Sequence, residues 1–317
     1  MISKKKILIL GAMGKVGSKM FKSLKKKNYD VIGLSHQNSF DPLIIKTNYF
    51  TMSKQAKFFL SNSNIIINCI GENNDIKRMF YKNVLILKKI IKNLNKKKKT
   101  IFIHLSTCGV YGNLKNNEIN EEIIPKPTTI YAKTKYQGEI FLQKKLKRNI
   151  ILVILRPAQI IGSNLENSSI QKLDFLIKNK IFFYFNNKKC TYSYIFYNDF
   201  FNFIEKFIKK KNISNNIFNI SNHSSYEKIV KALCDHYAIK NNFFSLNQKI
   251  SRCLFYLFIF ILIIFNFFYK KNSRIKFSTF ESLTTNKIYI SNKIKKYFNF
   301  YKIKKINKRN LDILLKK

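Results

Sequence analysis

Short apolar runs alternate with longer stretches of helical spacing along the first half of this chain. Five runs are almost entirely apolar, namely residues 7–10, 31–34, 65–67, 101–105 and 150–155. Runs of this kind predict strands of a parallel sheet that is covered on both faces. Apolar residues at helical spacing predict helices after residue 17, over 76–94 and over 131–146. The alternation of strands and helices therefore predicts an α/β protein with one parallel sheet.

The alternation becomes irregular after Pro157, where stretches rich in Asn and Lys separate short apolar segments such as 194–197 and 217–220. We therefore predict two parts. Residues 1–157 form a doubly wound domain of the Rossmann type. Residues 158–317 form a smaller, mixed α/β lobe that mainly binds the substrate, and segments within about 194–220 return to the large sheet.

A glycine-rich segment lies between the first predicted strand and the first predicted helix, with glycines at positions 11, 14 and 17. Glycine permits a tight turn and lets the backbone approach a pyrophosphate, while the helix N-terminus offers N–H groups to the phosphates. An ordinary glycine-rich turn is the alternative, because the spacing is GxxGxxG rather than GxGxxG. The predicted cofactor contacts in this segment are Gly11, Met13, Gly14, Lys15, Val16 and Gly17.

The end of the second strand supplies the residues nearest to the adenosine ribose in a fold of this kind. Here the chain reads Ser35, His36 and Gln37, with neither an acidic residue nor an arginine. Both NAD and NADP therefore remain open as cofactors. A hydroxyl and an imidazole tolerate a 2′-phosphate, which favours NADP.

A tyrosine and a lysine lie four residues apart, at Tyr131 and Lys135, within a predicted helix. Positions four apart share one helix face. A free phenol has a pKa of about 10, and a neighbouring ammonium is expected to lower it toward the working range of a general base. The pair alone has little specificity in a lysine-rich chain with 17 tyrosines.

The surroundings make the pair more specific. Ser106 and Thr107 directly follow the fourth predicted strand, and Thr107 precedes Tyr131 by 24 residues. Together with the glycine segment, the Asn68–Gly71 stretch, Asn83 and the Leu155–Pro157 element, these motifs occur in order along nearly the whole chain. In this they resemble the NAD-dependent epimerase/dehydratase family of nucleotide sugars, within the extended short-chain dehydrogenase/reductase superfamily.

The resemblance implies roles for individual residues. Thr107, Tyr131 and Lys135 become the catalytic residues, with Ser106 as the neighbouring alternative to Thr107. Cys69, Ile70, Gly71, Asn83 and Pro157 join the cofactor contacts, together with Tyr131 and Lys135 themselves. Cys108, Gln159 and Tyr192 become the substrate contacts. Where a dehydratase is expected to carry acid and base carboxylates, this chain has Cys108 and Gly109, so an epimerase or a ketosugar reductase is favoured.

Two other classes of function were weighed. A non-catalytic cofactor-binding protein, acting as an accessory or assembly factor at a membrane, is the main alternative to an NAD(P)-dependent oxidoreductase acting on a nucleotide-activated sugar. A nucleic-acid-binding protein would explain the formal charge of +44. We set that class aside, because the basic residues are nearly all lysines spread from Lys4 to Lys317 and show no localised patch.

The segment 253–269 is apolar except for Asn266 and is flanked by Arg252 and Lys270. Three interpretations remain open: a buried helix of the small lobe, a peripheral membrane contact, and a membrane span. The five cysteines show neither a CxxC pair nor a metal-ligand spacing, which predicts reduced thiols and no metal site. We therefore expect a cytoplasmic protein, either free or at the inner face of a membrane, with a homodimer as a further expectation.

Overall fold

The computed structural model describes residues 5–317 except for 96, 115–117, 147, 163–164, 166–168, 185–189, 246–249, 251–252, 254–256, 258–285, 300–302 and 316–317. Within the described residues, a large parallel sheet forms the centre of the molecule. Its seven strands, numbered in chain order, are β1 (Ile7–Leu10), β2 (Val31–Ser35), β3 (Ile44–Lys46), β4 (Ile65–Asn68), β5 (Thr100–Leu105), β7 (Ile150–Pro157) and β10 (Asn216–Ile220).

The strand order across this sheet is β10-β7-β5-β4-β1-β2-β3, and every neighbouring pair is parallel. The direction of winding reverses between β1 and β4, where Ile7 pairs with Ile65 on one side and with Val31 on the other. In open parallel sheets the crevice beyond such a reversal binds the ligand. The predicted doubly wound α/β fold is confirmed, and the reversal marks the edge at which a site is expected.

Helices cover both faces of the large sheet. One face carries α1 (Lys15–Lys26), α7 (Tyr197–Lys209) and α9 (Asn292–Phe298). The other carries α2 (Lys54–Asn62), α4 (Ile86–Lys92) and α5 (Ile130–Lys145), with the short α3 (Ile76–Phe80) leading into α4. Successive residues of β1 point to opposite faces, so that Ile9 packs against the first group and Leu8 against the second. Each fully buried side chain of this type contributes about 1.5–3 kcal/mol.

A smaller lobe follows the sheet. It contains a three-stranded sheet of β8 (Gln159–Ile161), β9 (Thr191–Phe196) and β11 (Asn222–Ser225), which packs with α6 (Ser169–Lys178), α8 (Tyr226–Tyr237) and α10 (Lys308–Leu315). A two-stranded ribbon of β6 (Glu118–Ile119) and β12 (Ile288–Tyr289) links the two parts of the chain. Of the segments predicted to return to the large sheet, β10 lies in it, whereas β9 belongs to the small sheet.

Two elements of the large domain have no counterpart in the sequence prediction. The strand β3 is only three residues long, and α2 has just two buried residues, Ala56 and Leu60. The helix predicted over 76–94 forms, but a π-helical turn at Tyr81–Leu85 interrupts it between α3 and α4. The apolar spacing over 76–94 did not indicate such a turn, because a π turn is a single-turn feature inside an otherwise α-helical segment.

The apolar segment 253–269 lies outside the described residues except for Cys253 and Leu257, both of which are exposed. Among the described helices, none has the length and apolar character that crossing a membrane requires.

Gly138 on α5 provides a test of how this helix packs against the π turn. A Cβ atom at this position would lie 2.8 Å from the carbonyl oxygen of Asn83 and 3.0 Å from the side chain of Leu87. Gly138→Ala is therefore expected to lower the free energy of unfolding by about 1–3 kcal/mol, although alanine favours a helix by about 1 kcal/mol. Urea denaturation measures the change. Gln137→Ala, at an exposed neighbouring position, is the control, and equal midpoints for both variants would contradict the close approach.

Candidate active site

The glycine turn forms the floor of the crevice beside β1. Gly11 directly follows β1 and has a φ of +75°, in the region that favours glycine. A Cβ atom at Gly17 would overlap the carbonyl oxygen of Gly11. The first and third glycines are therefore required for the chain to turn sharply from the strand into α1.

The N-terminus of α1 opens toward the crevice. Its first flanking residue is Gly14, which makes no side-chain cap, and the first turn contains no acidic residue. Gly14 and Lys15 are exposed, while Met13 and Val16 are half-buried. A helix N-terminus without a carboxylate of its own is suited to an anion, since its N–H groups and partial positive charge face the ligand. These residues fit the pyrophosphate of a dinucleotide.

The segment after β4 lies directly against this turn. A Cβ atom at Gly11 would lie 3.1 Å from the backbone nitrogen of Ile70, and one at Gly17 would lie 3.3 Å from Cβ of Cys69. The buried side chain of Asn68 accepts a hydrogen bond from the Ile70 N–H at 3.1 Å. Cys69, Ile70 and Gly71 are thus held at the strand end beside the glycine turn, and their contact with a cofactor stays a prediction.

Asn83 connects this segment to α5. Its side-chain oxygen accepts a hydrogen bond from the Glu72 N–H at 3.0 Å, and its amide donates to Oγ1 of Thr134 at 2.9 Å. A Cβ atom at Gly71 would lie 3.5 Å from Oδ1 of Asn83 and 3.7 Å from Nζ of Lys135. The buried Asn83, which lies in the π turn, therefore braces the loop after β4 against the helix that carries Tyr131 and Lys135.

The N-terminal half of α5 presents Tyr131 and Lys135. The hydroxyl of Thr129 caps the helix by accepting a hydrogen bond from the Ala132 N–H at 3.2 Å, which sets the helix start just before Tyr131. Tyr131 is half-buried. Lys135 is buried, and its ammonium donates to the carbonyl oxygen of Leu105, the last residue of β5. The helix is thereby fastened to the carboxyl end of the neighbouring strand.

The electrostatics of this pair differ from the sequence prediction in one respect. Lys135 was expected to lower the pKa of Tyr131, whereas burial raises the pKa of Tyr131 to about 12 in the structure. Burial also lowers the pKa of Lys135 to about 8, against opposing effects of the charges of Glu139 and Cys69. Desolvation disfavours both the Tyr131 phenolate and the Lys135 ammonium. In addition, the ammonium of Lys135 is directed to the Leu105 carbonyl rather than to the Tyr131 hydroxyl.

Thr107 lies at the same edge as Tyr131. It is half-buried, and its Oγ1 accepts a hydrogen bond from the Gly109 N–H at 3.1 Å, which caps the turn of 3₁₀ helix at Cys108–Tyr111. A Cβ atom at Gly109 would lie 3.3 Å from Oγ1 of Thr107 and 3.9 Å from Cβ of Ala132. The Thr107 turn therefore packs against the start of α5, and a hydroxyl that accepts one hydrogen bond still has its proton to donate.

The predicted residues beside the adenosine position and after β7 occupy the corresponding strand ends. Ser35 ends β2 and is buried, with its Oγ accepting from the Gln37 N–H at 3.0 Å, while His36 is exposed. Pro157 ends β7, and Gln159 begins β8 with an exposed side chain.

Two predicted substrate contacts are directed into the protein interior. The thiol of Cys108 is buried and donates to the carbonyl oxygen of Arg156 at 2.9 Å. Tyr192 is buried in the core of the small lobe, where its ring packs against Tyr194 and Tyr226 with centroids 5.9 Å and 5.7 Å away. The geometry therefore does not favour a substrate contact through either side chain.

Tyr49 is a site residue that the sequence pattern did not indicate. Its buried hydroxyl accepts a hydrogen bond from the Gly11 N–H at 3.0 Å and donates to the carbonyl oxygen of Leu34 at 2.9 Å. It thus ties the glycine turn to the end of β2. The residue follows β3, which the pattern also missed, and a lone tyrosine in a polar loop carries no signal that distinguishes it from other tyrosines.

The structure thus brings three kinds of group to one edge of the sheet: a glycine turn at a helix N-terminus, the segment after β4, and the hydroxyls and ammonium on β5 and α5. The members are Gly11, Gly14, Gly17, Cys69, Ile70, Gly71, Asn83, Leu105, Thr107, Tyr131 and Lys135. This arrangement on a doubly wound sheet defines the class of dinucleotide-binding Rossmann enzymes.

The chain belongs to the NAD dependent epimerase/dehydratase family, whose sequence pattern matches residues 7–221. The resemblance inferred from the motifs is therefore confirmed, and the protein is an NAD(P)-binding enzyme of this family. A sequence search of curated proteins finds no match.

Solved structures share the fold at low sequence identity. WbmG from Bordetella bronchiseptica, in complex with NAD, superposes with a TM-score of 0.72 at 15% identity, over 99% of this chain and 94% of that chain. MoeE5 in complex with UDP-glucose and NAD gives 0.70 at 12% identity, over 98% of this chain and 97% of that chain. A UDP-glucuronic acid 4-epimerase from Bacillus cereus, in complex with NAD, gives 0.62 at 21% identity, over 76% and 87%.

The buried ammonium of Lys135 predicts how stability depends on pH. With a pKa of about 8 in the folded protein and 10.5 as its ordinary value, Lys135 destabilises the fold below pH 8, where it is charged in both states. Between the two values only the unfolded chain holds the proton, so the folded state gains stability as pH rises. Lys135→Met removes this dependence. The free energy of unfolding of Lys135→Met is expected to exceed that of wild type at pH 7. This difference is expected to shrink by about 3 kcal/mol between pH 7 and 10.5.

Denaturant unfolding at several pH values measures this difference, and Lys133→Met on the exposed side of α5 is the matched control. A difference between Lys135→Met and wild type that stays constant with pH would contradict the buried ammonium.

Proposed function

We propose that this protein is an NAD(P)-dependent epimerase of a nucleotide-activated sugar. The observation that carries the proposal is that the Thr107 turn packs against the start of α5, the helix that carries Tyr131 and Lys135, while Lys135 also lies beside Gly71 in the segment after β4. Membership of the epimerase/dehydratase family supports it. Further support comes from proteins of the same fold that were crystallised with NAD and UDP, with UDP-glucose or with UDP-glucuronic acid.

Tyr131 is the proposed acid and base at the sugar hydroxyl. Its raised pKa means that the phenol is protonated at neutral pH, so it is ready to donate a proton to a keto oxygen. In the oxidation direction the deprotonated phenolate form of Tyr131 is the proton acceptor, and it takes the proton of the sugar hydroxyl as the hydride leaves the same carbon. Thr107 donates a hydrogen bond to the same oxygen and thereby holds the reacting carbon in place. A bound nicotinamide cofactor would supply the site that accepts and returns the hydride.

Lys135 is the proposed contact to the nicotinamide ribose of the cofactor, beside Tyr131. The two residues share one face of α5, and the ammonium is held in place by the Leu105 carbonyl. Because burial brings the pKa of Lys135 to about 8, a fraction of the lysine is neutral in mildly alkaline solution. The positive charge that Lys135 offers to the cofactor therefore declines as pH rises through that value.

For the cofactor, we propose a preference for NADP on the basis of the residues at the end of β2. Ser35 and His36 place no carboxylate where the adenosine ribose would lie. Burial and then the charges of Lys82 and Arg78 lower the pKa of His36, which locates two cations near this corner, with Glu72 paired to Lys82 at 2.8 Å. Cations favour a 2′-phosphate, and titration of the protein with NAD and with NADP distinguishes the two cofactors.

A ketosugar reductase and a non-catalytic cofactor-binding protein are the alternatives. The purified protein is incubated with a panel of nucleotide sugars and each cofactor, and the products are identified by mass spectrometry. An epimerase returns its cofactor to the starting redox state in each turnover, whereas a reductase consumes it stoichiometrically. Cofactor binding without conversion of any sugar would support the accessory protein instead.

Tyr131→Phe tests the proposed acid and base directly. We expect the turnover rate to fall by about 10²- to 10⁴-fold, with the cofactor dissociation constant nearly unchanged because only one hydroxyl is lost. Steady-state kinetics and fluorescence titration of the cofactor measure the two effects. Tyr136→Phe, on the same helix, is the matched control and retains activity. Full activity in Tyr131→Phe would remove this residue from the proposed role.

The expectations about partners and location stay predictions. The membrane contact rests on the apolar segment 253–269 and its basic flanks. The homodimer, the cytoplasmic location and attachment at the inner face of a membrane likewise rest on sequence reasoning. Small molecules of the nucleotide-sugar class are the partners that the proposed function requires.

A further inference from the structure

A buried network of charged and polar side chains lies behind the proposed catalytic residues. At its centre is an ion pair between Glu139 on α5 and Arg156 on β7, which are 0% and 2% exposed. Nη2 of Arg156 lies 2.6 Å from Oε2 of Glu139, and its Nε donates to both carboxylate oxygens at 3.2 Å and 3.3 Å. This forked geometry restricts the guanidinium and the carboxylate to one orientation.

The network is hydrogen-bonded to the residues on both sides of Thr107. On one side, the hydroxyl of Ser106 donates to Oε1 of Glu139. On the other, the thiol of Cys108 donates to the carbonyl oxygen of Arg156. The two immediate neighbours of Thr107 are therefore attached to the two members of the ion pair.

Further contacts hold Arg156 itself. Its Nη1 donates to the hydroxyl of Tyr111 at 2.8 Å, and the guanidinium lies over the Tyr111 ring at 4.9 Å. Tyr111 in turn donates to the side-chain oxygen of Asn219 on β10 at 2.9 Å. The ion pair is thus tied to four elements of the fold, namely β5, β7, β10 and α5.

We propose that Glu139 is a positioning residue: its carboxylate, held by Arg156, orients the Thr107 turn through Ser106 and keeps negative charge one helical turn from Lys135. Glu139 follows Lys135 by four residues and shares its face of α5. A burial cost of several kcal/mol for each ion makes such a pair a weak source of stability. We infer instead that the network serves to align Thr107 with α5, the helix that carries Tyr131, since these two residues are proposed to act on the substrate oxygen. The kinetic part of this proposal rests on the proposed function.

The charged groups around Lys135 indicate what the loss of Glu139 does. On α5, the charge of Glu139 raises the pKa of Lys135, as does Cys69 after β4, while burial lowers it to about 8. His104 on β5 also faces the ammonium, and burial together with the charge of Lys135 holds the pKa of His104 well below its usual range. Without the carboxylate, Lys135 is therefore expected to lose its proton at lower pH.

The first experiment titrates Lys135 without using enzyme activity. The protonation of Lys135 is followed against pH by NMR of protein labelled with ¹³C at the lysine Cε, and the Lys135 signal is identified by its loss in Lys135→Met. In Glu139→Gln the midpoint is expected to fall by about one pH unit relative to wild type, while Glu122→Gln, an exposed acid, leaves it unchanged. Glu139→Gln leaves the buried guanidinium of Arg156 without its carboxylate partner, which destabilises the fold. If this single variant does not fold, the double variant Glu139→Met with Arg156→Met is used in its place. An unchanged midpoint in the folded variant overturns the charge part of the proposal.

The second experiment tests the link to Thr107. Ser106→Ala keeps the ion pair and removes only the hydroxyl that reaches it. Turnover is expected to fall by about 10- to 100-fold, with the cofactor dissociation constant and the substrate KM nearly unchanged, and Ser106→Thr is expected to restore part of the rate. A loss of thermal stability with wild-type turnover would show a merely structural role and overturn the positioning part. If wild-type protein turns over no nucleotide sugar, the proposed function fails, and the Lys135 titration still decides the role of Glu139.

Discussion

Parallel pairing of all seven strands is the constraint on which this molecule depends. Because every strand of the large sheet runs in the same direction, all of the carboxyl ends meet along one edge. The residues that follow β1, β4 and β5 therefore converge, although they are separated by tens of residues in the chain. The glycine turn, the Cys69–Gly71 segment and the Thr107 turn are neighbours for this reason alone.

The site also places buried charged side chains at this edge of the sheet, and each of them needs a partner inside the protein. Lys135 is buried, and burial lowers its pKa, yet its ammonium has the Leu105 carbonyl as an acceptor. Glu139 and Arg156 are buried together and satisfy each other. Hydrogen bonds from these groups to the strand ends make the geometry of the site a property of the core. The same groups that cost desolvation energy hold α5 against β5 and β7.

The sequence pattern and the structure differ where local signals are weak. The short β3 and the mostly exposed α2 were not predicted, because each buries few side chains and the apolar periodicity of a sequence reflects its buried positions. The π turn in the helix after residue 76 was invisible for a similar reason, and yet it carries Asn83. Cys108 and Tyr192 were chosen by their position in motifs, and motif position does not decide which way a side chain points. Tyr49 acts on Gly11 from 38 residues away, and no local pattern contains that contact.

The sequence by itself determined the fold class, the family, and the members of the site that lie within motifs. The strands and the glycine turn could be predicted because apolar spacing and glycine content reflect local backbone geometry, which neighbouring residues in the sequence determine. Only the tertiary structure decided the electrostatics. The pKa of Tyr131 depends on how much water the packed helix excludes, and that of Lys135 depends on Glu139, Cys69 and the surrounding core. Desolvation and long-range pairing are properties of the assembled interior, and for that reason the pKa of Tyr131 is raised where the helix spacing of Tyr131 and Lys135 had indicated a lowering.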